Sequence, residues 1–251
     1  MRLKDQVAIV TGAASGMGKA IAIRYAQQGA RVVVSDLKLD AAADTVREIE
    51  AAGGSALAVA ADVSSEADVQ RMFDTAIAQY GTVDILVNNA GMMDNFVPAA
   101  EVTDELWERV LAVNTTGPMR TIRKVLPIFV AKGSGVIINV ASIGGLNGSR
   151  AGIAYTASKH ALIGMSKNVA FQYAAAGIRC NVIAPGGVNT NIMSGATPHP
   201  FGIEKAMAGI QANIRMGEPH EIAGLALFLA SEDASLVNGA VITADAGWTA
   251  Y

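Results

Sequence analysis

The chain has 251 residues, 51% of them hydrophobic and 16% charged, with a formal net charge of −3 at pH 7. That length supports a full core, and so apolar and weakly charged a composition excludes a disordered chain. The small acidic excess leaves no electrostatic footprint for nucleic acid, and a single cysteine, Cys180, excludes an intramolecular disulfide framework. No apolar stretch approaches the roughly 18 residues of a membrane span. The first apolar run, at 7–10, is too short for a signal-peptide core. A cytoplasmic protein of one domain, 1–251, is expected, without nucleic-acid or membrane partners.

Seven short apolar runs succeed one another at 7–10, 31–35, 56–60, 85–87, 136–140, 179–183 and 241–243. Most are continuous rather than alternating, the pattern of parallel strands covered on both faces. Between them lie helical patterns at 16–28, 40–52, 66–80, 104–130 and 154–175. Gly29, Gly53, Gly81 and Gly177 stand just past helical stretches, where a left-handed cap favours glycine. Thr103 before Asp104 and Glu105 reads as a helix N-cap with an acidic first turn. The alternation predicts an α/β fold: a doubly wound, seven-stranded parallel sheet of Rossmann type with helices on both faces. The least regular stretch, 190–212, carries Gly195, Pro198, Pro200 and Gly202 and reads as a functional lid.

The first strand runs into Thr11, Gly12, Ala13, Ala14, Ser15, Gly16, Met17 and Gly18, and then a helix. Glycines there let backbone approach a pyrophosphate, and the helix N-terminus favours its charge. Alone, three glycines in a turn are a weak signal. The second run, however, leads into Asp36, 18 residues after Gly18. An acid at that strand end is where such folds bond the adenosine ribose. Strand, turn, helix, strand and acid together favour a dinucleotide site.

Tyr155 and Lys159, at i and i+4, share one face of a predicted helix. An ammonium near a phenol lowers its pKa from about 10 and makes a usable general acid or base. By itself the pair decides nothing. Ser142, the Asn88–Gly91 turn (Asn88, Asn89, Ala90, Gly91), Asn114 and the loop from Pro185 through Val188 to Thr190 all belong near the same sheet rim. Asn114 lies mid-helix, where an asparagine needs a side-chain reason to be present.

With Thr11 to Gly18, Asp62-Val63, Asn88 to Gly91, Asn114, Ser142, Tyr155/Lys159 and Pro185 to Thr190, the chain resembles the short-chain dehydrogenase/reductase family along essentially its whole length. The resemblance implies that Tyr155 exchanges a proton with the substrate oxygen and that Ser142 hydrogen-bonds that oxygen. Lys159 would bind the nicotinamide ribose and lower the Tyr155 pKa, and Asn114 would hold a relay water. Gly12, Ser15, Met17, Gly18, Asp36, Asp62, Val63, Asn89, Ala90 and Gly91 would line the cofactor, as would Pro185, Val188 and Thr190 at the carboxamide end. NADP-preferring relatives often carry Arg where Ser15 stands and a basic residue after the second strand; Asp36, despite Lys38 nearby, favours NAD.

The implied activity is NAD(H)-dependent interconversion of a secondary alcohol and a ketone by a homotetramer. The pocket segments, 93–96, 144–152, the Gly187 region and the lid, hold few charges and suit a small neutral substrate; Met92, Met93 and Met193 are candidate lining. A 3-oxoacyl-carrier-protein reductase is the alternative within the family. Gly133 and Phe171 stand where its carrier-binding basic residues would be, leaving Arg123 and Lys124 as cations. A non-catalytic cofactor-binding regulator is a third reading, opposed by intact Asn114, Ser142, Tyr155 and Lys159. The three histidines are too scattered for a metal site, and none is expected. Cys180, in a core run, reads as a small buried hydrophobe.

Overall fold

The structure, a computed structural model, describes residues 1–250. Seven strands form one sheet: β1 (Val7–Thr11), β2 (Arg31–Asp36), β3 (Ser55–Ala60), β4 (Ile85–Asn88), β5 (Gly135–Val140), β6 (Ile178–Pro185) and β7 (Val241–Ala244). Their order is β3-β2-β1-β4-β5-β6-β7, every pair parallel. All seven expected runs are strands. Each position of β1 and β4 is buried, which is why these strands tolerate uninterrupted apolar sequence.

The helices are α1 (Gly16–Gln27), α2 (Leu39–Ala51), α3 (Glu66–Tyr80), α4 (Asp104–Leu111), α5 (Gly117–Lys132), α6 (Ile153–Tyr173), α7 (Pro200–Met207) and α8 (Pro219–Ala230). Ile21 and Tyr25 of α1, Ile49 of α2 and Leu227 of α8 pack on one face of the sheet. Phe73 of α3, Phe129 of α5 and Val169 of α6 pack on the other. The fold is therefore the doubly wound Rossmann type. Thr103 caps α4 by accepting the Leu106 N–H at 3.2 Å, and Gly81 ends α3 in the left-handed region with φ 79°. The chain steps outward from β1 to β3 and returns at β4, so a crevice opens between the carboxyl ends of β1 and β4.

Three elements differ from the sequence expectation. The helix expected over 104–130 is two helices joined by a π-helical turn, Ala112–Thr116. The lid segment 190–212 is not irregular throughout, because it contains α7, with Pro200 in its first turn and the His199 ring accepting the Gly202 N–H. Helix α8 has no counterpart in the periodic pattern. It is apolar nearly all round, so the contrast that marks a helix face is missing. Its start is nevertheless encoded by Pro219 and a capping box, with Glu221 accepting the Glu218 N–H at 2.8 Å. Among the described residues no helix is long and apolar enough to cross a membrane.

Candidate active site

The turn between β1 and α1 is shaped by close approach of chain to chain. Gly12 has φ 64°, and a Cβ there would lie 2.9 Å from Ala90 Cα, while one on Gly18 would run into the Gly12 carbonyl oxygen. Thr11 and Asn89 stitch this turn to the loop after β4. The Thr11 hydroxyl accepts the Asn89 and Ala90 N–H groups at 3.0 and 3.1 Å, and the Asn89 amide donates to Thr11 O at 3.0 Å. Ser15 is the N-cap of α1, yet its side chain makes no capping bond and the first turn holds no acid. The helix thus presents uncapped N–H groups and its positive end to an anion.

A cleft of about 800 Å³ opens at this switch point. Its walls take Gly12, Ser15, Met17, Asp36, Asp62, Val63, Asn89, Ala90, Gly91 and Thr190 from the residues chosen by sequence. Asp36 sits at the end of β2, where its carboxylate accepts the Ala14 N–H at 3.1 Å and the Lys38 N–H at 3.2 Å. A carboxylate offers about four lone-pair sites, so capacity remains for a ligand. Asp62 is fixed by the Ser64 hydroxyl at 2.6 Å, and Val63 packs against Gly117, where a Cβ would lie 2.9 Å from its Cγ2. Gly18 lies outside the lining, packed against the Gly12 carbonyl. Pro185 pairs with Ala244 at the end of β6 and Val188 bridges to Gly217, so both fix the loop leading to Thr190. Thr190 closes the phosphate end, 3.2 Å from where a Gly16 Cβ would stand. Volume, uncapped helix N-terminus, facing carboxylate and the buried, unpartnered Asn89 Oδ1 all fit a bound dinucleotide.

Ser142, Tyr155 and Lys159 converge beside this cleft. Ser142 caps the short turn after β5, its Oγ accepting the Gly144 N–H at 2.9 Å. Tyr155 lies in the first turn of α6 and is 6% exposed. Burial pushes its phenol up to about 12; a hydrogen bond with Ser142 pulls the other way, and the Asp94 carboxylate adds to the rise. Lys159 is also buried. Its Nζ donates to Val140 O at 3.0 Å and stands 5.5 Å from the centre of the Tyr155 ring, and desolvation lowers its pKa to about 8. Loss of solvent is the largest influence on the Tyr155 phenol and raises its pKa, opposite in direction to the effect expected of Lys159. Gly91 is the common wall: a Cβ there would lie 3.5 Å from Lys159 Nζ and 3.4 Å from Asn114 Oδ1.

Asn114 occupies the centre of the π-helical turn and is fully buried. Its Oδ1 accepts the Met92 N–H at 2.9 Å, and its Nδ2 donates to Met92 O at 2.9 Å and Ser158 Oγ at 3.1 Å. The amide is thus a clamp on the β4–α4 loop, a use that mid-helix position alone did not reveal. Replacing Asn114 with Ala strands these buried partners and should cost about 1–3 kcal/mol. At ~2–4 °C per kcal/mol for a chain of this size, calorimetry should record a Tm lower by roughly 2–12 °C. An unchanged Tm would show that the loop does not need the clamp.

The structure also adds residues. Asp94, fully buried, holds the backbone of the Tyr155 turn. Ser158 donates to Tyr155 O at 2.7 Å. Arg109 lines the cleft, as do Met92 and Met93, whereas Met193 lies in the turn after Thr190 outside the lining. The signal for Asp94 was an acid between two methionines and a phenylalanine. Cys180 is buried in β6, where desolvation pushes its thiol up to about 12, as befits a core residue. Among the described residues no group of three His, Cys, Asp or Glu could hold a metal.

Such a constellation on a dinucleotide-binding sheet defines an oxidoreductase. A family model described as Enoyl-(Acyl carrier protein) reductase matches residues 12–249. The chain is 46% identical over 251 residues to 3beta-hydroxysteroid dehydrogenase 2 of Eggerthella lenta, covering 99% of this chain and 96% of that protein. It is 36% identical to cyclohexanol dehydrogenase of an Acinetobacter species, covering 99% and 96%. A solved structure from Beutenbergia cavernae with NADP bound at low occupancy superposes with TM-score 0.89 at 37% identity, covering 99% of this chain and 98% of that one. The chain belongs to the short-chain dehydrogenase/reductase family, whose members bind NAD(P). It is an enzyme of the alcohol/ketone oxidoreductase class.

Proposed function

We propose that the enzyme uses NAD(H) to interconvert a neutral cyclic secondary alcohol and its ketone, with Tyr155 as the general acid/base. The observation that carries this reading is the convergence of Tyr155, Ser142 and Lys159 beside the dinucleotide cleft, with Gly144 against Ser142 and Tyr155 and Gly91 against Lys159. The substrate oxygen is held by the Ser142 and Tyr155 hydroxyls. In the reductive direction Tyr155 gives up its proton while Ser142 steadies the charge developing on that oxygen. When bound, a nicotinamide would supply or accept the hydride. Lys159 would hold the nicotinamide ribose and stands ready to replenish the proton. The Asn114 amide is spent on Met92 and Ser158, so a relay water there must use its remaining oxygen lone pair or its main chain.

Met92, Met93 and Ile192 on the cleft walls support an apolar substrate, as do relatives named for a hydroxysteroid and for cyclohexanol. The carrier-protein alternative loses support, because Arg123 and Lys124 are already paired with Glu66 at 2.6 and 3.3 Å. A homotetramer in the cytoplasm is the proposed state; exposed Phe171 and Leu236 suit subunit contacts. NADH consumption should be fastest with cyclic neutral ketones, such as a 3-ketosteroid or a substituted cyclohexanone. Linear 3-oxoacyl thioesters should lag by at least about tenfold in kcat/KM, a difference of ~1.4 kcal/mol in transition-state binding. Preference for the thioester would overturn the substrate class.

A further inference from the structure

Asp94 is fully buried, and no ion pair to it exists among the described residues. Its carboxylate is instead surrounded by backbone donors. Oδ1 accepts the Gly152 N–H at 3.0 Å and the Phe96 N–H at 3.1 Å, and Oδ2 accepts the Tyr155 N–H at 2.9 Å. Gly152 is the N-cap of α6 and has no side chain with which to cap. Asp94 therefore caps α6 from another loop, reaching the N–H of the proposed proton donor itself.

The surroundings are built for this reach. A Cβ on Gly152 would lie 2.5 Å from Asp94 Oδ2 and 2.6 Å from the Val97 backbone, so only glycine admits the carboxylate. The Ile153 N–H donates to Val97 O at 3.1 Å, adding a second seam between loop and helix. Asn95 and Phe96 follow Asp94 in the left-handed region, with φ 54° and 60°. That conformation is uncommon for phenylalanine and persists only when surrounding contacts impose it. The same loop meets the lid, where the His199 N–H donates to Asn95 O at 2.7 Å.

We infer that Asp94 is a positioning residue for proton transfer, fixing the first turn of α6 and hence the Tyr155 phenol against Ser142. The inference rests on Tyr155 being the proton donor. Asp94 also acts through its charge. The groups facing Tyr155 are the Ser142 hydroxyl from the turn after β5, the Lys159 ammonium from one turn along α6, and Asp94 from the β4–α4 loop. Asp94 opposes ionisation of the phenol, adding to the effect of burial.

Two variants of the full-length enzyme test this beside Tyr155→Phe. Asp94→Ala removes the cap and the charge. Asp94→Asn keeps the size and one acceptor oxygen but removes the charge and sets an amide donor among the backbone N–H groups. With rates scaled to the folded fraction, kcat for ketone reduction should fall at least ~30-fold in Asp94→Ala and roughly 5–10-fold in Asp94→Asn. NADH affinity should stay within about threefold in both, since the Asp94 side chain itself does not line the dinucleotide cleft. In Asp94→Asn the rise of alcohol oxidation with pH, which needs the phenolate, should set in about 0.5–1 unit lower, because the phenol ionises more easily without the neighbouring charge. Native-like kcat and an unmoved pH profile in Asp94→Asn, beside an inactive Tyr155→Phe, would overturn the inference and leave a purely structural cap. If Asp94→Ala does not fold, Asp94→Asn alone decides. Native turnover in Tyr155→Phe would overturn the tyrosine assignment and this inference with it.

Discussion

Replacing Tyr155 with phenylalanine is expected to lower turnover at least ~100-fold, the scale of a lost general acid/base, while leaving NADH affinity nearly intact. The substitution deletes one oxygen and keeps the ring that packs beside Gly144 and Lys159. What disappears is the proton source and one of the two hydroxyls that hold the substrate oxygen. Because burial pushes the phenol up to about 12, it is protonated at neutral pH and ready to act in ketone reduction. Alcohol oxidation needs the phenolate, so its rate in the native enzyme should climb as pH rises. Reduction should weaken above pH 8, where Lys159, lowered to about 8, loses the ammonium that replenishes the proton. Steady-state kinetics in both directions, with NADH binding followed by fluorescence, measure all of this. Near-native turnover in the phenylalanine variant would refute the assignment.

A second large effect concerns cofactor choice. The native enzyme should favour NADH over NADPH by about 100-fold in kcat/KM, a penalty of a few kcal/mol for holding a 2′-phosphate beside a carboxylate at a partly exposed site. Asp36 is anchored by the Ala14 and Lys38 N–H groups, so it cannot easily swing away from an incoming phosphate. The Ser15 side chain makes no capping bond at the head of α1, so Ser15→Arg displaces no interaction there and adds a bidentate phosphate donor. Combined with Asp36→Ala, it should erase or reverse the preference. The Ala14 N–H then loses its acceptor, so the double variant should also be somewhat less stable. Equal efficiency with both cofactors in the native enzyme would mean that Asp36 does not face the ribose, or that Lys38 neutralises the phosphate.

The parallel sheet was legible because buried strands announce themselves as unbroken apolar runs between turn glycines. The dinucleotide turn and the Tyr155/Lys159 spacing were legible because their geometry is local. What escaped is non-local or lacks contrast. Helix α8 is apolar nearly all round, so its sequence has little polar face to set a period. The π-helical turn at Ala112–Thr116 places Asn114 against Met92 in a different loop. Asp94 does its work 58 and 61 residues away, at Gly152 and Tyr155. The direction of the Tyr155 pKa depends on how completely the fold removes water, and i, i+4 spacing carries no such information.

The π-helical turn between α4 and α5 has a consequence for how this region can change over evolutionary time. An α-helical turn spends 3.6 residues, so one surplus residue rotates everything before it by about 100° relative to everything after. The stretch behaves as a continuous helix into which one residue has been spliced, with the surplus absorbed where Asn114 is buried. Excising any single residue of that turn would let the helix regularise and carry either the α4 contacts or the α5 contacts to the wrong side. The length of this segment is therefore as constrained as the identity of Asn114 within it.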